Sequence, residues 1–220
     1  MLICVCSAKG GAGATVVVAG LASAIASRGD DVLLVDLDGD LPAVFGLPEP
    51  PVGLGDWLAA GPDVDVGALG RLEVDSGLDG VRLLPLGASR EWPTARGAAL
   101  VALLGGEHRT VLVDGGAVGP GGSASLLRDA VRERCGSSLL VTRPCYLSLR
   151  RAMRDGARVD GIVLVREPGR SLDAVDVERV LHAPVVAKVD LDPAVARLVD
   201  AGLLASRPPR GLTKPLRRVA

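Results

Sequence analysis

The chain has 220 residues, a formal net charge of -1 and a hydrophobic fraction of 48%. This length and composition fit one α/β domain with both faces of its sheet covered, and two domains are not expected. The near-zero net charge gives no global electrostatic reason to bind nucleic acid or an anionic membrane. An aromatic content of 2% leaves little material for stacking bases, so any such binding must be local.

The four cysteines favour a reduced, cytoplasmic setting. Cys4 and Cys6 are two apart on a predicted strand, so they share one face and are expected to be small buried hydrophobes. Cys135 and Cys145 have no neighbouring histidine and no Cys-x-x-Cys partner, which argues against a zinc site. The N-terminus carries no basic region ahead of an apolar one, so no secretory signal is expected.

The first predicted elements are an apolar strand at 2–6, a glycine-rich turn at 7–15 and an apolar helix that begins near Ala14. Glycines let backbone N–H groups turn inward around an anion, and a helix N-terminus adds partial positive charge at the same point. The predicted ligand is therefore a phosphate. Residues 10–27 are uncharged, but their glycines and hydroxyls make them weakly apolar, so a buried helix is expected rather than a membrane span.

Apolar strands and helices alternate along the rest of the chain, which predicts a doubly wound α/β fold with a predominantly parallel sheet. This fold occupies residues 1–206. Further strands are predicted at 32–36, 81–86, 110–114, 138–142, 161–165 and 185–189, and helices at 92–104, 123–134, 147–157, 174–181 and 193–201.

The glycine-rich turn ends in Gly13-Ala14-Thr15, whereas a standard P-loop ends in Gly-Lys-Ser/Thr. The spacing and the hydroxyl are present, but Ala14 occupies the position of the phosphate-binding lysine. Another lysine, Lys9, opens the loop.

The pattern Lys-Gly-Gly-x-Gly-x-Thr at 9–15 resembles the deviant Walker A motif of the ParA/MinD family of P-loop partitioning and positioning ATPases. The resemblance spans nearly the whole chain and implies ATP and Mg²⁺ as cofactors. It implies that Lys9 is catalytic, because the matching lysine reaches across a nucleotide-dependent homodimer to the partner's phosphates. The implied nucleotide-binding residues are Lys9, Gly10, Gly11, Ala12, Gly13, Ala14 and Thr15.

Acidic residues follow the second predicted strand in the order Asp36, Asp38 and Asp40. Ligands of open α/β sheets gather at the carboxyl ends of strands, so these acids are expected to face the loop. The resemblance implies that Asp36 lies near Mg²⁺ and that Asp38 positions the attacking water. Asp40 is outside the pattern and is expected to be a solvated loop acid.

The predicted strand at 110–114 ends in Asp114, which is a Walker B pattern. An aspartate at this strand end is placed to hold water on Mg²⁺ opposite Thr15. The glycine-rich residues 115–122 that follow fit a mobile switch loop and a plain connector equally well.

Two basic segments are candidates for contacts with DNA or an acidic partner. Arg150, Arg151, Arg154 and Arg158 fall close to one helical face, for which a solvated surface is the favoured interpretation. Residues 207–220 are basic, contain no acid and are expected to form a flexible tail. The apolar residues of this tail are Leu212, Leu216 and Val219, and they offer too small an apolar face for stable membrane insertion.

Base specificity is left open, because the ParA/MinD family usually has an adenine-reading asparagine where this chain has Val165-Arg166.

A dinucleotide-binding Rossmann fold is the alternative interpretation, since Gly-x-Gly-x-x-Val occurs at 11–16 and Asp36 is a candidate ribose ligand. The third glycine is missing. The Rossmann interpretation also gives no role to Lys9, Thr15, Asp38 or Asp114, so the P-loop interpretation is preferred.

Three functions are compatible with the P-loop interpretation. The favoured one is a degenerate nucleotide-binding protein in chromosome partitioning, septum positioning, or a pilus or secretion machinery, with weak or absent ATP hydrolysis. The others are a slow Mg²⁺-dependent ATPase and a DNA-associated partitioning protein. The Gly-Ala-Gly-Ala-Thr loop at 11–15 resembles CpaE-like proteins of pilus assembly or secretion more than typical chromosome ParA.

Overall fold

Strands and helices alternate along the chain, and the computed structural model describes residues 1–61, 64–119, 122–156 and 159–219. The strands of these residues are β1 (Leu2–Ser7), β2 (Val32–Asp36), β3 (Val74–Asp75), β4 (Val81–Leu84), β5 (Thr110–Ala117), β6 (Ser137–Thr142), β7 (Gly161–Arg166) and β8 (Val185–Asp190). The helices are α1 (Ala14–Ala26), α2 (Leu41–Val44), α3 (Leu54–Ala59), α4 (Gly97–Gly105), α5 (Ser123–Arg134), α6 (Tyr146–Arg154), α7 (Ala174–Leu181), α8 (Pro193–Asp200) and α9 (Arg210–Leu216). Short 3₁₀ helices occupy Val66–Leu72 and Thr94–Arg96.

The strands form one sheet in the order β3-β4-β2-β5-β1-β6-β7-β8. Every neighbouring pair is parallel except β3 and β4, which pair antiparallel at the edge. The predicted doubly wound, predominantly parallel sheet is therefore confirmed. Because β5 lies between β1 and β2, the order is not that of a Rossmann dinucleotide fold, in which the first two strands are neighbours.

Helices cover both faces of the sheet, which explains why its central strands are continuously apolar. On β1, Ile3 and Val5 point to the face that carries α1, α2, α8 and α9. Leu2, Cys4 and Cys6 point to the opposite face and pack with α3, α4 and α5. Cys4 and Cys6 are buried, as the sequence predicts.

The first helix, which follows the glycine-rich turn, is buried within the fold along most of its length. α1 spans 13 residues, and Val18, Leu21, Ala22 and Ala24 are fully buried in it. Among the described residues, no helix combines the length and the apolar content that crossing a membrane requires.

Several element boundaries differ from the sequence predictions. β5 continues through Ala117 instead of ending at Asp114, because its last residues still pair with β1. The short elements β3, α2 and α3 were not predicted, since each is too short to show a clear period. α6 ends at Arg154 and a turn follows at residues 155 and 156, whereas the predicted helix extends to residue 157, which lies outside the described part of the chain.

The end of the chain also differs from its prediction as a flexible tail. α9 forms at Arg210–Leu216, and its Leu212 and Leu216 are buried against α1. These leucines meet the helix at Gly20, where a Cβ atom would lie 2.7 Å from Leu212 Cγ and 2.8 Å from Leu216 Cδ1. The apolar residues are spaced by four, which brings them to one helical face despite the surrounding arginines and prolines.

Candidate functional site

The turn between β1 and α1 forms an open cradle of backbone groups. Gly11 and Gly13 have φ values of 75° and 95°, a left-handed conformation that glycine adopts at little cost. Gly13 is the N-cap of α1, and no side chain caps the first N–H groups of the helix. A Cβ atom built at Gly10, Gly11 or Gly13 would meet nothing within 4 Å. Free N–H groups facing open space suit an anion.

A cavity of about 530 Å³ lies over this turn. Ala12, Ala14 and Thr15 line it from the loop, and Ala117 lines it from the end of β5. The charged residues that line it are all acids, namely Asp38, Asp40 and Asp200. No lysine or arginine is among the described residues of the lining, so the backbone supplies the positive potential on this side.

Asp36, the last residue of β2, lies side by side with Asp114 of β5, and the two are paired in register. Both residues are fully buried. Burial raises the pKa of Asp36 to about 6, although its carboxylate accepts hydrogen bonds from the N–H groups of Gly39, Asp38 and Leu41. Asp36 thus holds the turn that presents Asp38.

Burial, and then the charge of Asp36, raises the pKa of Asp114 to about 7. The Asp114 carboxylate accepts a hydrogen bond from the Gly116 N–H, and the nearby Thr15 side chain opposes the rise of its pKa. Its Oδ2 atom is buried without a hydrogen-bond partner. An unpaired oxygen beside a hydroxyl fits the hard, oxygen-binding character of Mg²⁺.

Among the described residues, no three His, Cys, Asp or Glu side chains are grouped to hold a metal ion. Mg²⁺ typically uses one or two protein oxygens together with substrate phosphates and water, which is what Thr15 and Asp114 offer. The residues present therefore fit a magnesium ion that arrives with a phosphate ligand.

Asp38 is an exposed residue that lies against the strand end carrying Asp114. A side chain on Gly116 would overlap the Asp38 carboxylate. Gly116 also has a φ of 64°, so both the available space and the backbone conformation favour glycine at this position. Partial desolvation, and then the charge of Asp40, raises the pKa of Asp38, while Arg90 and Arg128 oppose this rise.

The geometry of the loop, the acids and the sheet agrees with comparisons to known proteins. The family described as the CobQ/CobB/MinD/ParA nucleotide binding domain matches residues 3–205. The chain belongs to this family. A CobQ/CobB/MinD/ParA domain thus covers everything from β1 to the residues just before α9.

An uncharacterised ATP-binding protein of Methanocaldococcus jannaschii is 29% identical over 216 residues, which cover 91% of this chain and 78% of that protein. Among solved structures, the septum site-determining protein MinD of Pyrococcus horikoshii, complexed with Mg-ADP, matches with a TM-score of 0.75 and 21% identity, covering 100% of this chain and 94% of that one. A ParA family ATPase of Chlorobium tepidum matches with a TM-score of 0.78 and 21% identity, over 98% and 95% of the two chains. At these identities the structural matches establish the fold.

Lys9, the lysine that opens the ParA/MinD-type loop, is half-buried and is not among the residues that line the cavity. The pKa of Cys145 is lowered mainly by its contact with Ser148 and that of Glu167 mainly by Arg170, and the charge of Lys9 adds to both; neither group lines the cavity. The structure therefore brings Thr15, Asp38 and Asp114 together and leaves Lys9 at the rim.

Two arginines that the sequence analysis did not single out fix the loops around Asp38. Arg128 of α5 is 4% exposed and donates hydrogen bonds to the carbonyl oxygens of Ala117, at 2.6 Å, and Gly119, at 3.1 Å. Arg90 donates to the carbonyl oxygen of Asp38 at 3.1 Å. The sequence signals neither contact: that of Arg90 joins residues 52 apart, and those of Arg128 reach back 11 and 9 residues across a loop. The glycine-rich residues after Asp114 are thus held by a cation as far as Gly119, and residues 120 and 121 lie outside the described part.

The predicted arginine face is exposed on α6 at Arg150, Arg151 and Arg154, while Arg158 lies outside the described residues. Of the Val165-Arg166 pair that the sequence places at the base-recognition position, Arg166 forms an ion pair with Asp190 at 2.7 Å. Base recognition through that position would require this pair to open.

Proposed function

We propose that this chain is a degenerate nucleotide-binding protein of a positioning system, which binds Mg-nucleotide weakly and hydrolyses ATP slowly or not at all. The observation that carries the proposal is the cavity over the phosphate loop. Its backbone is arranged for an anion, yet Ala14 stands in place of a lysine and the lining side chains with charge are acids.

The missing lysine has consequences that differ for binding and for hydrolysis. A charge-assisted hydrogen bond contributes about 1.5 to 3 kcal/mol, so its absence weakens binding of the phosphates in the ground state. Negative charge spreads over the transferred phosphoryl group in the transition state, so the loss there is larger. The three carboxylates of the lining add repulsion, which makes a divalent cation a condition for binding.

Within this proposal the residues have separate tasks. The loop residues 9–15 would hold the phosphates through backbone N–H groups, and Thr15 and Asp114 would hold Mg²⁺, which would supply charge to neutralise phosphate oxygens. Asp36 shapes the turn and is the third candidate metal residue. Asp38 orients water. Lys9 lies at the rim, which supports a role across a nucleotide-dependent homodimer in place of a role in its own cavity.

The process and the partner are part of the same proposal. The matched MinD is a septum site-determining protein, which supports a positioning role, and the Gly-Ala-Gly-Ala-Thr loop supports a CpaE-like partner in a pilus or secretion machinery. A DNA-associated role is the second candidate. Exposed arginines on α6, together with exposed Arg210, Lys214, Arg217 and Arg218 at the chain end, favour it.

Titration calorimetry with Mg-ADP and Mg-ATP, alongside a phosphate-release assay, tests this proposal. We expect weak binding that disappears when EDTA removes Mg²⁺, with phosphate release near the background rate. Steady multiple-turnover release would instead establish the slow ATPase. Absence of any binding at millimolar nucleotide would show that the site no longer binds nucleotide and would contradict the proposal.

A further inference from the structure

We propose that Arg143 binds the nucleotide in this chain by packing its guanidinium group against the base. This inference rests on the proposed nucleotide-binding function. It concerns a residue outside the loop and outside the acids that follow β2 and β5.

A separate apolar cavity of about 240 Å³ adjoins the phosphate cradle. The two cavities share Ala12, Gly13, Val16, Val199 and Asp200, so one extended ligand could occupy both. The remaining walls of the smaller cavity are mostly aliphatic and come from the ends of β7 and β8, from α8 and from Leu212 of α9. A nucleotide has the matching polarity, with charged phosphates at one end and a flat, weakly polar base at the other.

Arg143 lies at the junction of the two cavities. It directly follows β6, so it stands at the carboxyl edge of the sheet, where ligands of open α/β folds gather. Its Nη2 atom donates a hydrogen bond to the carbonyl oxygen of Gly11 at 2.7 Å, and the side chain lines the apolar cavity. This contact fixes the guanidinium group against the phosphate loop at Gly11.

The Nε atom of Arg143 is buried and has no hydrogen-bond partner. A buried cationic donor without an acceptor is costly. Because this N–H lies in the plane of the guanidinium, a ligand would satisfy it with an oxygen or nitrogen acceptor beside the stacked base. Lys9 is excluded from such a task on this side, since it does not line either cavity.

The residues that line the apolar cavity favour a stacking contact between the base and the guanidinium group of Arg143. No aromatic side chain is among the described residues that line it, so a base has no ring to stack on. A guanidinium group is planar and stacks on aromatic faces, whereas an ammonium group does not. Every base has a π face, so this contact tolerates different bases. It requires no adenine-reading residue, in agreement with the ion pair that occupies Arg166 and Asp190.

Calorimetry with three probes, ADP, GDP and inorganic tripolyphosphate, each with Mg²⁺, separates the base from the phosphates. We expect Arg143→Ala to weaken binding of ADP and GDP by about tenfold each and to leave tripolyphosphate binding unchanged. Arg143→Lys keeps the charge without the plane and should behave like Arg143→Ala. Arg150→Ala, an equal loss of charge at an exposed position of α6, is the matched control and should bind all three probes normally.

The outcomes distinguish this inference from the function on which it rests. A natural chain that binds neither ADP nor tripolyphosphate contradicts both. A natural chain that binds ADP, with Arg143→Ala binding it equally well, contradicts the role of Arg143 alone. Equal losses for ADP and tripolyphosphate, or full binding of ADP by Arg143→Lys, would show that Arg143 acts through charge or through the loop and would overturn the stacking contact. Thermal unfolding without ligand verifies that each variant is folded.

Discussion

Asp36 and Asp114 face each other in register on neighbouring parallel strands, and both are fully buried. Burial raises the pKa of Asp36 to about 6, and burial together with the charge of Asp36 raises that of Asp114 to about 7. Between the ordinary pKa of an aspartate and these values, the folded protein binds more protons than the unfolded one. The stabilisation from protonating the pair is complete below about pH 4 and is lost as pH rises through about 6 and 7.

The first prediction is that Asp114→Asn stabilises the protein when nucleotide and Mg²⁺ are absent. The amide keeps an acceptor for the Gly116 N–H and removes one of two buried charges. We expect the free energy of unfolding at pH 8 to rise by about 1 to 3 kcal/mol, and the gain to shrink toward pH 5. Thermal unfolding in EDTA at both pH values measures this. Asp79→Asn changes an exposed aspartate and should have little effect at either pH; a pH-independent gain for Asp114→Asn would argue against charge repulsion.

Much of the fold could be predicted because its signals are local. Apolar strands that alternate with helices specify a parallel sheet, and a strand followed by a glycine-rich turn and a helix specifies the loop. The sequence did not predict α9, because the burial of this helix depends on α1, which is distant along the chain. Leu212 and Leu216 are ordinary in sequence and become a packing face only because Gly20 leaves a groove in α1.

The residues of the site likewise fall into those that the sequence predicts and those that it does not. Thr15, Asp38 and Asp114 follow strands or glycines in fixed patterns, so their convergence could be read from the sequence. Arg143 contacts a carbonyl oxygen 132 residues away, and Arg128 contacts carbonyl oxygens 11 and 9 residues before it. The position of Arg143 directly after a predicted strand was the one available signal. Arg128 had none, as it is one of several arginines on α5.

The second prediction concerns the contact between α1 and α9. Gly20→Val places a branched side chain where a Cβ atom alone already lies 2.7 Å from Leu212 Cγ. We expect a loss of about 1 to 3 kcal/mol in unfolding free energy and faster hydrogen exchange over 210–216. Ser23→Val adds a branched residue elsewhere on α1 and should have a smaller effect. Unchanged exchange at 210–216 would mean that α9 does not depend on this contact.

The third prediction concerns DNA. Deleting the end of the chain would uncover α1, so charge reversal of exposed residues is the cleaner change. If the chain binds duplex DNA through phosphates, affinity should fall steeply with salt, and Lys214→Glu with Arg218→Glu should abolish binding at low salt. Arg71→Glu with Arg134→Glu reverses two exposed charges elsewhere and should retain it. Absence of binding by the natural chain at low salt would remove the DNA-associated function.

The fourth prediction concerns Asp38, whose proposed partner is water and not the nucleotide. Asp38→Asn should lower the rate of phosphate release in any form of the chain that hydrolyses ATP, and should leave the affinity for Mg-ATP within about twofold. Single-turnover phosphate release and calorimetry measure the two quantities. Asp40→Asn, which changes a neighbouring carboxylate of the same cavity, serves as the control. Parallel losses of rate and affinity would assign Asp38 to nucleotide binding.

The fifth prediction restores the missing lysine. Ala14 is the first residue of α1 and lines the phosphate cavity between Gly13 and Thr15 although it is only 6% exposed, so a longer side chain would have to extend from the core into the cavity. Ala14→Lys would place a cation in a lining that has only acids among its charged side chains. We expect Mg-ATP affinity to rise by about tenfold and phosphate release to rise with it, because charge-assisted contacts strengthen as the transition state forms.

Ala14→Met provides the matched control, since methionine fills similar space without charge and should leave both quantities near their natural values. A gain for lysine alone would show that the loop keeps the geometry of a nucleotide site and that one residue limits it. A gain in affinity without phosphate release would place the remaining defect at Asp38 or at Lys9 across the dimer. No gain in either quantity would mean that the lysine meets only backbone N–H groups and acids, and that this protein acts without nucleotide at the loop.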